Sequence, residues 1–151
     1  MSVKDRLKEL GVELPPATTP AGAYIPALRS GNLVYTSGQL PLVEGKLPRR
    51  GKVGAEVSLD DAKTDARMCA VNALAAVDAL VGLDAVVRVV KVVGFVASDP
   101  SFTSQPEVVN GASEFLGEVF GEAGQHARSA VGVAVLPRDT PVEVEIIVEV
   151  A

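Results

Sequence analysis

Apolar residues return every three or four positions along two long stretches of this chain and alternate with polar ones along several shorter stretches. The first long stretch predicts a helix from Ser58 to Gly82. Ala62, Ala66, Cys69, Ala73, Val77 and Leu80 fall on one stripe of small side chains that can lie close on a sheet. The Ser58 hydroxyl can accept from first-turn amides, Asp60 and Asp61 suit the positive end of the helix dipole, and Gly82 supplies the stop. The second stretch predicts a helix up to Gly121, with Val108, Val109, Ala112, Phe115, Leu116 and Val119 as its apolar face. Ser104 and Glu107 have the spacing of a capping box there, and Pro106 sits in the first turn. Val3, Leu7 and Leu10 mark a short N-terminal helix stopped at Gly11, followed by the proline-rich connector LPPATTPAG. Residues 1–22 therefore read as an appendage to one domain over residues 23–151.

The period-two segments supply the sheet. Tyr24 to Gln39 reads as strand, turn and strand, with Ser30-Gly31-Asn32 at the bend. The run from Val86 to Val96 is apolar on both alternating faces, as a covered central strand is. Two alternating segments, ARSAVGVAVL and VEVEIIVEV, end the chain, joined at Pro137-Arg138-Asp139-Thr140. In the former, Ser129, Val131 and Val133 oppose Arg128, Ala130, Gly132 and Ala134. Two helices cover only one face of such a sheet, so a second subunit is the economical cover for the other. The small residues Ala130, Gly132 and Ala134 suit close approach of a partner backbone or a ligand, which argues for an oligomeric interface with Arg128 at its edge. Residues 42–57, with Lys46, Arg49, Arg50 and Lys52 among Gly and Pro, lack any apolar period and read as an exposed loop. Its basic cluster is either a phosphate site or, as charge runs usually are, a solvated one.

At 151 residues the chain fits one domain, and with only 4% aromatic residues and no Trp its core must be aliphatic. A net charge of -5 repels polyanions and disfavours nucleic acid as a partner. The single cysteine, Cys69, excludes an intrachain disulfide, and one His with one Cys makes no customary zinc site. No charge-free apolar run approaches membrane-spanning length, and the charged N-terminal helix has no signal-peptide core, so a cytoplasmic protein is expected.

Four blocks then carry a resemblance: GAY at Gly22–Tyr24, GNLVYTSGQLP at Gly31–Pro41, VVN at Val108–Asn110, and ARSAVGVAVLPRDTPVEVEI at Ala127–Ile146. In that order and spacing they resemble the RidA/YjgF superfamily over nearly everything after residue 21. The last block is the most specific. The resemblance implies a chorismate-mutase-like α+β sandwich, a mixed sheet of about six strands with two helices on one face. It implies a homotrimer in which three sheets form a central barrel, with clefts between subunits. It further implies cofactor-free hydrolysis of reactive enamine or imine intermediates to 2-oxo acids and ammonia. Residue by residue, it places Arg128 on the substrate carboxylate, Tyr24 at the cleft wall, Ser37 and Gly38 in the TSGQ turn, Asn110 on the second helix and Glu143 on the last strand. The chain departs from the usual family pattern at Ala130, where many deaminases have Cys, and at His126, where Pro is usual.

Each candidate has a plainer alternative. A guanidinium grips a carboxylate with two parallel donors, so Arg128 suits a carboxylate-bearing metabolite; otherwise it pairs with Glu143 or Glu145 on a neighbouring strand. Glu143 either orients water for imine hydrolysis or balances Arg128. Tyr24 donates a proton or walls the pocket, or packs on the hairpin. His126, two residues before Arg128 on the same face, titrates in the cleft or is simply solvated. Three functions fit: an imine deaminase, a non-catalytic 2-oxo acid binding or sensing protein, and an endoribonuclease or translation inhibitor, the last opposed by the acidic charge.

Overall fold

The computed structural model describes residues 1–17 and 22–151, so the middle of the proline-rich connector lies outside the described residues. The chain runs α1 (Val3–Glu9), β1 (Ala27–Ser30), β2 (Leu33–Thr36), α2 (Leu59–Val81), β3 (Val86–Ala97), α3 (Gln105–Phe120), β4 (Ala127–Val133) and β5 (Val142–Val150). Among the described residues five strands form one mixed sheet in the order β1-β2-β5-β3-β4, against the about six expected. All pairs are antiparallel except β3 with β4, which are parallel and joined through α3, as a parallel pair requires a crossover. The two C-terminal strands are thus not neighbours, because β3 lies between them.

Local chemistry explains most boundaries. The Ser58 hydroxyl accepts from the Asp61 amide at 3.1 Å, and Gly82 ends α2 with a positive φ of 79°. Ser104 makes no side-chain cap. The expected capping box is instead formed at Ser2 and Asp5, where hydroxyl and carboxylate each accept from the other residue's amide. At α3 the Glu107 amide instead donates to the Ser104 backbone carbonyl at 3.1 Å, while Gln105 donates to the Phe102 carbonyl at 2.8 Å and to Ser98 Oγ at 3.1 Å.

The core lies between the sheet and helices α2 and α3. Val142, Val144, Ile146, Val148 and Val150 of β5 are all buried against the helices, as are Val89, Val92 and Val96 of β3. Of the α2 stripe, Ala62, Ala66, Cys69, Ala73 and Val77 are fully buried, whereas Leu80 is 45% exposed and Val81 packs against the core at that end of the helix. Burial pushes the Cys69 thiol well up, and the charges of Asp65 and Glu143 add to this. The α1 helix packs on this core through the buried Leu7, and Arg6 donates to the Glu118 carbonyl at 2.8 Å.

The basic segment is not simply a solvated loop. Val53 and Val57 are buried in the core, Arg49 pairs with Asp65, and Lys52 Nζ lies 3.1 Å from Asp139 Oδ1. Asp65 is buried, which raises its carboxyl pKa, and the adjacent Arg49 guanidinium opposes that rise. Two isolated apolar residues four apart produce no period, and this is why the sequence pattern concealed the anchoring.

At Gly111 the two long helices approach closely: an added Cβ would stand 2.0 Å from the Lys63 carbonyl oxygen and 2.9 Å from its carbon. Alanine gains about 1 kcal/mol of helix propensity over glycine. Forcing backbone against backbone in a packed interior costs about 1–3 kcal/mol or more. Because a carbonyl cannot rotate away as a side chain can, the cost lies towards the upper end, and Gly111→Ala is expected to destabilise the fold by about 1–2 kcal/mol net. Urea denaturation checks this, and a midpoint at or above that of the wild type contradicts the packing argument.

Candidate functional site

Two clusters of polar side chains emerge, one on each face of the sheet. The first grows from α3 and β4. Asn110 and Ser113 are three residues apart and so share a face of α3. Register fixes the direction of β4: Arg128, Ala130 and Gly132 pair with Val92, Gly94 and Val96, whose neighbours on β5 are the buried Ile146, Val144 and Val142. Arg128 therefore points to the helix side. Its Nη1 donates to Asn110 Oδ1 at 2.7 Å and to Ser113 Oγ at 3.2 Å. His126 joins the cluster, with Nε2 2.8 Å from Ser113 Oγ and Nδ1 2.6 Å from the Gly124 carbonyl oxygen.

This geometry corrects two expectations. The small residues Ala130 and Gly132 lie on the helix side of the sheet rather than on its uncovered face: Ala130 packs against the core, and a Cβ on Gly132 would meet Gln105 Nε2 at 2.7 Å. The strand ends at Val133, before Ala134. Nor does Arg128 pair with Glu143 or Glu145. With β3 interposed, Arg128 forms no ion pair among the described residues. Both Nη1 protons go to α3. Nε and Nη2 make no protein hydrogen bond among the described residues, leaving the edge of the fork that presents two parallel donors.

The second cluster lies where β2 meets β5. Ser37 Oγ donates to the Ile25 carbonyl at 2.6 Å and its amide donates to the Pro26 carbonyl at 2.8 Å, tying the exit of β2 to the segment carrying Tyr24. Tyr24 itself is exposed. Gly38 supports the Glu143 side chain directly, since a Cβ there would fall 2.0 Å from Glu143 Oε2. Glu143 is half-buried; desolvation raises its carboxyl pKa and the neighbouring Glu145 raises it further. The buried Asn72 of α2 donates to the carbonyls of Leu40 and Leu42 at 2.9 and 3.1 Å, holding the chain just beyond this turn.

Arg128, Asn110 and His126 are thus brought together, as are Ser37, Gly38 and Glu143, with Tyr24 at the margin of the latter group. The two groups are separate within one chain. Glu143 alternates with the buried β5 residues and lies on the open face of the sheet, opposite to Arg128. That open face also carries exposed apolar side chains, including Tyr35 at 40% and Val131 at 43%. Ser113, absent from the sequence reading, is the residue that links Arg128 to His126. Its one signal was the three-residue spacing from Asn110. Among the described residues, no group of three His, Cys, Asp or Glu side chains could hold a metal ion. No helix among them is long and apolar enough to cross a membrane.

Residues 4–150 match the family model described as "YjgF/chorismate_mutase-like, putative endoribonuclease". The chain is 44% identical over 149 residues to protein TCP17 of Trypanosoma cruzi, covering 97% of this chain and 93% of that protein. The crystal structure of Atu1372, a protein of unknown function from Agrobacterium tumefaciens, superposes with a TM-score of 0.92 at 48% identity, covering 99% of this chain and 92% of that one. A more distant relative is Escherichia coli TdcF, provisionally named a reactive intermediate deaminase, 32% identical over 136 residues and covering 90% of this chain and 93% of TdcF. Its crystal structure with bound serine superposes with a TM-score of 0.65 at 26% identity, covering 91% of this chain and 94% of that one.

Proposed function

Because the chain belongs to the YjgF/chorismate mutase-like family, the RidA/YjgF superfamily, we propose that it hydrolyses reactive 2-imino acids and their enamine tautomers to 2-oxo acids and ammonia. The observation that carries this reading is the orientation of Arg128: α3 holds one edge of its guanidinium and leaves the Nε–Nη2 edge for a substrate carboxylate. The Asn110 amide nitrogen, with its carbonyl engaged by Arg128, offers a further donor beside it.

The chemistry needs a proton and a water. Protonation of the enamine carbon gives the iminium, water adds to C2, and the carbinolamine collapses with loss of ammonia. Glu143, whose proton is held more firmly than that of an ordinary glutamate, suits the donor role and then the orienting of water as a carboxylate. Arg128 and Glu143 lie on opposite faces of one sheet, so one substrate can meet both only where two copies adjoin. A homotrimer, with the open sheet faces turned inward and each cleft shared between neighbours, satisfies this requirement and covers the exposed apolar residues. In this reading Tyr24 and Ser37 wall the cleft from the second copy, and the protein works in the cytoplasm.

The test generates imines in situ from a panel of amino acids with an amino acid oxidase and traps them with semicarbazide. Active protein lowers semicarbazone yield and accelerates ammonia release. Unchanged trapping across the panel, with 2-oxo acids still binding, replaces this reading with that of a metabolite-binding protein.

A further inference from the structure

The polar contacts around Arg128 form a chain whose donor directions are fixed. The Gly124 carbonyl can only accept, so the 2.6 Å contact places a proton on His126 Nδ1. A neutral ring then has a lone pair on Nε2, and the Ser113 hydroxyl, 2.8 Å away, donates its single proton there. With that proton committed, a Ser113 lone pair faces Arg128 Nη1 at 3.2 Å. We infer that His126 is a positioning residue acting through Ser113: its neutral ring fixes the Arg128 fork and makes carboxylate binding fall when the imidazole is protonated. This rests on the reading that Arg128 receives the substrate carboxylate.

Protonation reverses one link. Nε2 becomes a donor and competes for the Ser113 lone pair, the hydroxyl proton must turn away, and two cations then face one oxygen. The hydroxyl oxygen can still accept from both, but repulsion between imidazolium and guanidinium weakens the second anchor of Arg128 while Asn110 is kept, and the free edge shifts out of register with the ligand. Charged and polar groups face His126 from several elements. Arg128 from β4 is a cation reached through Ser113. Arg88 of β3, also a cation, and the carboxylate Glu149 of β5 line a cleft of about 440 Å³ with His126. From α3 comes the neutral Ser113, while Glu114 beside it turns to Lys63 at 3.2 Å. The 3-10 turn at Gly121–Gly124 contributes the Gly124 carbonyl.

The experiment combines pyruvate titration calorimetry between pH 8 and pH 5 with NMR of the Arg128 Nε–H group, in the wild type, Ser113→Ala, Ser113→Thr, His126→Ala and His126→Gln. Glutamine can place an acceptor near Nε2 but cannot titrate. Expected are a wild-type affinity that weakens towards acid pH, a loss of about fivefold at pH 8 in Ser113→Ala and His126→Ala, and rescue by Ser113→Thr. His126→Gln retains affinity and loses the pH dependence. An identical pH profile in wild type and His126→Gln overturns the inference. So does an Arg128 Nε–H resonance unmoved by Ser113→Ala. If wild type binds no pyruvate at any pH, the carboxylate reading of Arg128 fails instead. The resonance still reports on the relay, since it needs no ligand.

Discussion

Replacing Arg128 with lysine is expected to weaken pyruvate or 2-oxobutyrate binding by about ten- to a hundredfold, the equivalent of losing charge-assisted hydrogen bonds of about 1.5–3 kcal/mol. Lysine keeps the charge, so a purely electrostatic site would tolerate the change. A fork that uses Nη1 for Asn110 and Ser113 and offers Nε and Nη2 to the ligand would not. A ligand of a few heavy atoms has little other surface with which to compensate. Arg128→Ala should lose at least as much. In both variants the assembly should persist, because Arg128 lies on the helix side of an edge strand rather than on the open face. Calorimetric titration with light scattering in parallel provides the check. Equal affinity in all three proteins removes Arg128 from the site, and a monomer or dimer mass for the wild type removes the trimeric cleft.

Glu143→Gln is expected to reduce kcat for imine hydrolysis by about 10²–10⁴-fold, the usual contribution of a positioned acid or base, while pyruvate affinity changes little. Glutamine keeps the shape over Gly38 but can neither give nor take the proton. The raised carboxyl pKa also has consequences in pH. As the general acid, Glu143 loses its proton as pH rises through its folded-state value, so the wild-type rate should have an alkaline limb that the variant lacks. For stability, the folded state holds this proton more tightly than the unfolded chain. The group's contribution is therefore present below the unfolded value of 4.5 and is lost as pH rises through the raised folded value. Glu143→Gln should accordingly raise Tm relative to wild type near neutrality, by an amount that shrinks towards pH 4. A variant with unchanged kcat, or a Tm difference that grows on acidification, would remove Glu143 from this role.

The two residues illustrate how far the chain can be read without its fold. Alternation along the last two segments correctly separated Arg128, Ala130 and Gly132 from Ser129, Val131 and Val133, because the side-chain period of a strand is local and close to two. It did not say which set met the helices, and the small side chains of Ala130 and Gly132 pointed to the uncovered face when they lie on the helix side. That depends on sheet order, and the order places β3 between β4 and β5 through a crossover of high sequence separation. An ion pair between Arg128 and Glu143 was reasonable for adjacent strands and is impossible for side chains on opposite faces. Likewise Ser104 and Glu107 had capping spacing, but Ser104 has a ψ of 35° rather than an extended backbone, and its own carbonyl accepts from the Glu107 amide.

What the amino-acid order settled by itself was therefore the local structure: α2 between Ser58 and Gly82, α3 up to Gly121, the hairpin about Gly31-Asn32, the buried Cys69 and the motif blocks that carry Arg128 and Glu143. Capping groups, helical period and strand alternation all act within a few residues, and these signals agree with one another. Tertiary packing alone decided the rest. It anchored Val53 and Val57, drew Arg49 to Asp65, and set Glu143 over Gly38. It also brought Ser113 between Arg128 and His126, joining a helix to a strand. Such contacts join side chains from separate elements, and no periodicity along the chain encodes the distance between them.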